Sequence, residues 1–321
     1  MANAPIYLSD AYIQAGEEET AFGTESAAIT VPFGVGQLVS RTARNNFHKV
    51  RGLGSRNITQ SIPGRFEGTA SLNWTVANGY WLKPLLGAVA DTGSAPYLHT
   101  YSEANTLPSM TIEAGMNLDT DSVIKLLGCT MDSVTLKCEQ GAPVTAEASI
   151  SYINESEGTS LDGSPATDSE TPFSFAQATL EIPNATGLSD IQSVNLTIAN
   201  NIQQVVGLGS RHPTHAVPLA RDYTFNVAVP YESASIFLEK FYGSGTGPNS
   251  TVASTTFDLI LSNGLASSST RSIQITLAGV YFDEQSINAD SADDLVREGI
   301  TAYAQSLTTA VYSNNTAADP W

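Results

Sequence analysis

A chain of 321 residues with 32 acidic and 14 basic side chains carries a formal charge of −18. It is too long for one ordinary sandwich domain but suits two domains that each bury a core, and so acidic a surface repels a polyanion, which excludes charge-driven nucleic-acid binding as its task. No apolar run reaches the roughly 18 residues of a membrane span, and residues 1–16 lack the basic start and apolar centre of a secretory signal, so a soluble chain made in the cytoplasm is expected. Only five of the basic residues are Lys, a scarcity that points to a high-salt host, where screening keeps an acidic surface compact.

In chain order, residues 1–24 read as an arm that includes the acidic Glu17, Glu18 and Glu19. Residues 41–65 then gather Arg41, Arg44, Lys49, Arg51, Arg56 and Arg65 in one predicted loop region. The stretch 66–76 alternates through Ala70, Leu72 and Trp74, the period of a half-buried strand. Over 78–88, Trp81, Leu82, Leu85 and Leu86 fall on one helical face, and Pro84 makes that short helix irregular. Strands are predicted at 109–115 and 122–127, followed by a hairpin of 132–138 and 144–153 joined across 139–143. Cys129 and Cys138 flank a strand at opposite parity, which argues against a disulfide, and with no His nearby they lack the ligands of a zinc site.

Residues 158–172, rich in Thr, Ser, Asp, Gly and Pro, read as a flexible or loosely packed linker. Beyond it, 223–229 alternates through Tyr223, Phe225, Val227 and Val229, and 233–242 has the apolar spacing of a second short helix. Strands follow at 256–262 and 272–279. The acidic 288–298 stands where the first half has its closing hairpin, and 306–321 reads as a tail.

The two halves repeat one another. Asn45-Asn46-Phe47-His48-Lys49-Val50-Arg51-Gly52-Leu53-Gly54-Ser55-Arg56 recurs as Asn200-Asn201-Ile202-Gln203-Gln204-Val205-Val206-Gly207-Leu208-Gly209-Ser210-Arg211. Ile124 to Asp132 matches Ile275 to Asp283 at a slightly smaller offset, which Tyr152 and Tyr303 also keep. Colinear self-similarity of this length is the mark of duplication.

No catalytic, cofactor or metal site emerges. Gly243-Ser244-Gly245-Thr246-Gly247 lacks the Lys-Ser/Thr pair of a phosphate loop and follows a helix. His212 and His215 have no third ligand placed nearby, and no Ser, His and carboxylate fall in a recognisable order. Asn57, Asn73, Asn154, Asn184, Asn195, Asn249 and Asn314 sit in glycan-acceptor triplets, which would suit a surface-exposed binding or adhesion sandwich. The absence of a signal sequence and the colinear duplication weigh against that alternative.

Four features in order carry a resemblance: Gly52-Leu53-Gly54-Ser55-Arg56 before a strand, Trp81-Leu82-Lys83-Pro84-Leu85-Leu86-Gly87, Leu107-Pro108-Ser109-Met110-Thr111-Ile112-Glu113, and Gly128-Cys129 leading into Ser133-Val134-Thr135-Leu136. Together they resemble the tail tube proteins of tailed viruses, closely over 27–152 and more loosely over 176–305. The resemblance is to a siphovirus-like form with a duplicated domain, and the composition points to a haloarchaeal virus. It implies an all-β fold with minor α: two tandem sandwich domains that build a barrel, each with one short helix, at 1–157 and 173–305, separated by the linker 158–172 and followed by the tail 306–321. It also implies a structural virion protein, made in the host cytoplasm, whose six domains per ring come from three copies with pseudo-sixfold symmetry. Rings would stack helically around a bore through which DNA passes without specific binding, with a tape measure protein inside and terminator and tip proteins at the ends. A terminator or connector ring is the neighbouring alternative. Arg44, Lys49, Arg51, Arg56, Arg65, Arg211 and Arg221 are then the expected contacts to the adjacent ring, supplying register more than affinity.

Overall fold

The computed structural model describes residues 11–17, 21–117, 121–168, 170–182, 190–231, 240–243, 247–264, 270–288 and 296–321. Antiparallel strands dominate. The first half contributes β1 (Ala11–Glu17), β2 (Val35–Arg44), β3 (His48–Val50), β4 (Gln60–Ile62), β5 (Glu67–Thr75), helix α1 (Leu82–Leu86), β6 (Gly87–Thr92), β7 (Tyr97–Glu103), β8 (Met110–Met116), β9 (Ser122–Glu139), β10 (Thr145–Tyr152) and β11 (Asn154–Gly158). The second contributes β12 (Ala178–Glu181), β13 (Ser193–Ala199), β14 (Gln203–Val205), β15 (His215–Val217), β16 (Asp222–Pro230), β17 (Thr255–Ser262), β18 (Ser272–Asn288) and β19 (Arg297–Asn314).

One sheet runs through both halves in the order β12-β17-β18-β19-β16-β13-β9-β10-β5-β2. The order β13-β16-β19-β18 in the second half follows the order β2-β5-β10-β9 in the first, and β9 lies against β13 across the middle. Alternation decides which face is covered. Along β5, Ala70, Leu72 and Trp74 are buried while the residues between them are not, and β10, β13 and β16 alternate in the same way. Below this face a second layer forms where β8 pairs with β1 and with the first part of β9, and where β17 pairs with β12 and the first part of β18. Trp74, Trp81 and Phe33 meet between the layers, with ring centroids 5.5 and 6.2 Å apart.

The predicted strand at 66–76 and its counterpart at 223–229 are β5 and β16, and the irregular helix shrinks to the single turn of α1 around Pro84. Most of the second predicted helix lies outside the described residues; Lys240–Tyr242 are helical. Four expectations are corrected. The separate strands at 122–127 and 132–138 are one strand, β9, because Gly128 takes φ +63° and lets the chain change sheets without ending. The acidic 288–298 does not replace the closing hairpin: β18 and β19 pair with each other up to Asn288 and Arg297. Ser306–Asn314 are the far part of β19, and the remaining residues fold back so that the Trp321 indole donates to the Tyr80 carbonyl at 2.8 Å. The segment 158–172 is tied down rather than loose, with the Ala166 amide donating to Gln14 Oε1 (2.8 Å), Asn78 Nδ2 to Asp168 Oδ2 (2.6 Å) and the Arg271 guanidinium to the Thr171 carbonyl (2.7 Å). A segment whose one bulky apolar side chain is Leu161 has no core of its own, so its polar groups are held by neighbours that offer partners.

Tyr152 and Tyr303 also part company. Tyr152 is fully buried and Tyr303 is 45% exposed, stacked on Tyr281 at 5.7 Å. Ser149 opposes Ser71, and Thr301 opposes Asn226, so the residue standing where Tyr152 stands is Ala304.

Candidate assembly site

Polypeptide pairing between the halves is the best-defined interface in the molecule. Ser133 opposes Ala199, Thr135 opposes Thr197 and Lys137 opposes Asn195, and the hydroxyls of Thr135 and Thr197 lie 2.9 Å apart. Val134, Leu136, Leu196 and Ile198 bury the other face of the same pair. At its end Asp132 bulges out of register. Its carbonyl accepts from the Asn200 amide and its carboxylate from the Ile202 amide, both at 2.7 Å. Asn200 is fully buried and donates from Nδ2 to the carbonyls of Met131 (3.0 Å) and Leu85 (2.9 Å).

Beyond this seam the second-half chain rises into the hairpin β14–β15, the counterpart of β3–β4. The two hairpins share their geometry residue by residue. Asn46 and Asn201 take φ 45° and 50°, and Gly54 and Gly209 take 84° and 87° at the tips, a left-handed backbone that favours Asn and Gly. Thr59 donates to the Val50 carbonyl as Thr214 does to Val205 (2.9 and 2.8 Å), and Gly64 to Asn45 as Leu219 does to Asn200 (3.1 Å each).

What differs is what each hairpin touches. The β14–β15 hairpin lies across the first half: the Arg211 guanidinium donates to the Gly64 carbonyl (3.0 Å) and to Asn45 Oδ1 (2.7 Å), and the Arg211 carbonyl accepts from the Phe66 amide (2.8 Å). The His212 ring sits 5.4 Å from that of Phe66, and its Nδ1 is 2.8 Å from the Ile153 carbonyl. The β3–β4 hairpin is exposed along both strands, leaving Phe47 52%, Ile62 51% and Leu53 fully exposed.

The seven predicted contact residues are divided by this arrangement. Lys49, Arg51 and Arg56 stand together, exposed, on β3–β4. Arg44 ends β2 on the open face, and Arg65 pairs with Glu67 at 2.7 Å. Arg211 is seated on the first half. Arg221 is not at a surface tip at all: its guanidinium meets Asn200 Oδ1 (2.7 Å) and Glu103 (3.3 Å), where Glu103 also accepts from the Tyr223 hydroxyl. Burial first, and that carboxylate second, push the Tyr223 phenol above its ordinary range. Arg41, outside the predicted set, pairs with Glu155 at 3.1 Å.

Sequence reasoning expects sheet edges that close against neighbours but does not say which strands carry them. Among the described residues, pairing with β5 leaves the other side of Ser40–Arg44 on β2 open, and β17 covers β18 only from Ser272 to Val280, leaving 281–288 open on that side. Residues 133–137 of β9 pair with β10 on one edge and with β13 on the other. Facing away from the core, the sheet presents Thr42, Thr69, Ser71, Asn73, Ser149, Thr135, Thr197 and Thr224, with Glu67, Glu147, Asp222 and Glu284 set against Arg44, Lys137 and Arg297. Antiparallel sheets with one core face read this way when the other stays wet.

Among the described residues no group of three or more His, Cys, Asp or Glu could hold a metal, and no helix is long and apolar enough to cross a membrane. Cys129 and Cys138 are buried thiols not joined in a disulfide, and burial pushes the Cys138 thiol up to about 12. Gly243 and Gly247 are described, and the residues between them lie outside the described set.

A family model described as phage tail tube protein matches residues 9–310. No curated protein matches the chain significantly.

Proposed function

Because the chain belongs to the phage tail tube protein family, a structural component of the virion tail, we propose that three copies close into a ring of pseudo-sixfold symmetry and that rings stack into a hollow tube through which DNA reaches the host. The observation that carries this reading is a pair of unlike open edges, one on β2 at the end of the sheet and one along 281–288 of β18, beyond the stretch that β17 covers. Open edges are a hazard in a monomer, and closing them against further copies in a continuous barrel removes them.

In this ring the polar sheet face lines the bore. Its Ser, Thr and Asn hydroxyls and amides, with acidic residues outnumbering Arg and Lys, offer few cationic contacts to phosphate, so DNA passes without specific binding. The chain is read as a duplication of one domain, supported by the shared geometry of the two hairpins and the repeated strand order. The hairpin tips reach the adjacent ring, supported by Leu53 and Leu208, which are both fully exposed although β14–β15 is already seated. Arg51 goes with that tip contact, whereas Arg65 and Arg221 are held by Glu67 and Glu103. A tape measure protein within the tube, and terminator and tip proteins at its ends, are the partners this role implies, with synthesis in the host cytoplasm. The charge of −18 and the five lysines support a salt-rich host.

Negative-stain microscopy of the purified chain at low and high salt tests the reading. Hollow tubes or stacked rings are expected; a monomer that persists at every salt concentration would return the protein to the binding-module alternative.

A further inference from the structure

The seam inside the chain specifies a second seam that the chain lacks a partner for. Subtracting one repeat from β13 gives β2, and adding one to β9 gives β18. Asp132 and Asp283 occupy the same bulge, between Met131 and Ser133 in one strand and between Phe282 and Glu284 in the other. Ser40–Arg44 stand against β5 as Asn195–Ala199 stand against β16, with Ser40 opposite Ser71 and Arg44 opposite Glu67, as Asn195 is opposite Asn226 and Ala199 opposite Asp222.

We infer that β18 of one copy adds to β2 of a second copy in the register of the internal β9–β13 pair, so that Glu284 opposes Arg44, Gln285 opposes Ala43, Ser286 opposes Thr42 and Ile287 opposes Arg41. This rests on the tube reading and deepens it by naming the contact. Continuity with the internal seam is one argument. Charge is the second: where the internal pair holds the neutral Ser133 and Ala199, the external one brings a carboxylate against a guanidinium, and opposite charges directly across a ladder attract. Exposure is the third, since Ile202 is half-buried against the first half while its counterpart Phe47 is 52% exposed.

The same step carries the basic hairpin with it. Asp283, exposed at the bulge in β18, stands where Asp132 receives the Ile202 amide, and so receives the Phe47 amide. Arg56, the counterpart of Arg211, reaches the Leu219 carbonyl, the counterpart of Gly64. Lys49 takes the place of Gln204, whose Nε2 is 3.4 Å from the Tyr152 carbonyl, and meets Ala304. The base of β3–β4 therefore docks sideways on an acidic end of a second copy within the ring, leaving the tip for the next ring.

Cross-linking of the full chain tests the register. Directly opposed residues suit a disulfide, whereas residues two out of register lie about 7–8 Å apart. The variant Thr42→Cys with Ser286→Cys is expected to cross-link between chains during assembly, just as Thr135→Cys with Thr197→Cys is expected to within one chain, and at least about fivefold more than Thr42→Cys with Glu284→Cys. Arg44→Glu should reduce assembly and the double swap Arg44→Glu with Glu284→Arg should restore it, a readout that survives if a Cys variant fails to fold. Tubes in which the offset pair cross-links better, or in which the swap gives no rescue, would overturn this seam and leave the tube reading standing. Wild-type chains that never assemble would overturn both.

Discussion

The Asp132 carboxylate and the Ile202 amide meet at 2.7 Å across the two halves of the chain. A charge-assisted bond of this kind turns the bulge in β9 into the anchor of the β14–β15 hairpin, because Ile202 is the residue from which that hairpin departs. Removing the carboxylate leaves the amide without its acceptor. Asp132→Ala should cost about 1–3 kcal/mol and raise hydrogen exchange across 203–217 while leaving exchange in β5 and β10 unchanged. Equal exchange in both regions would contradict the anchoring role.

Gly128 is the pivot on which β9 passes from the lower layer to the main sheet. Its φ is +63°, and a Cβ there would lie 2.6 Å from the Ile153 side chain. Strain and overlap together put Gly128→Ala at about 1–3 kcal/mol of destabilisation, visible as a lower Tm with retained β-rich circular dichroism. An unchanged Tm would show that the pivot tolerates a side chain.

Arg271 holds the connection between the halves. Its guanidinium donates to Ala77 O at 2.6 Å and Thr171 O at 2.7 Å, meets Glu170 at 3.3 Å and lies 5.5 Å from the centre of the Phe173 ring. A planar fork serves these directions and an ammonium does not. Arg271→Lys should therefore fail to rescue Arg271→Met, both losing about 2–4 kcal/mol and both becoming open to limited proteolysis within 159–171. Full protection in the Lys variant would argue that charge alone suffices.

The C-terminal residues respond to pH through two carboxyls of opposite sign. Burial, against the pull of the Tyr101 hydroxyl and the Trp321 amide, holds Asp319 above its ordinary 3.8. A raised carboxyl stabilises below the unfolded value, and that contribution is lost as pH rises through the folded one. Asp91 is partly buried, which pushes it up, but the Asp319 amide and His99 outweigh this and hold it below 3.8. Its contribution is present above 3.8 and lost only as pH falls through the lowered value. Lowering the pH from near neutral down through the raised Asp319 value should thus tighten docking, read as reduced acrylamide quenching of Trp321, whose ring lies 6.3 Å from that of Phe33, and Asp319→Asn should remove the trend. Quenching that increases over that range would reverse the assignment.

The strands were legible wherever apolar and polar residues alternate on one covered face, as in β5 through Ala70, Leu72 and Trp74. The hairpins were legible because Gly-Leu-Gly-Ser-Arg occurs twice. Gly128 misled, since a glycine between two apolar runs reads equally as a strand end and as a bulge. The β6–β7 hairpin went unread: its strands show no plain apolar–polar alternation, and Asp91 and His99, which face each other across it 2.7 Å apart, are a polar pair. Arg221 was grouped with the surface bases by its place in the repeat, while its acceptor, Glu103, lies on β7, which has no counterpart strand among the described residues of the other half. Tyr303 matched Tyr152 by type, but one residue of register carries a side chain to the opposite face.

Rotational averaging of end-on electron micrographs of assembled rings bears most directly on the three-chain ring. Six-fold-like density that refines to true three-fold symmetry, with the 45–65 and 200–220 hairpins alternating around the ring, is the expected result. A closed ring with any other number of chains, or sheets of neighbouring copies that do not join through β2 and β18, would contradict it.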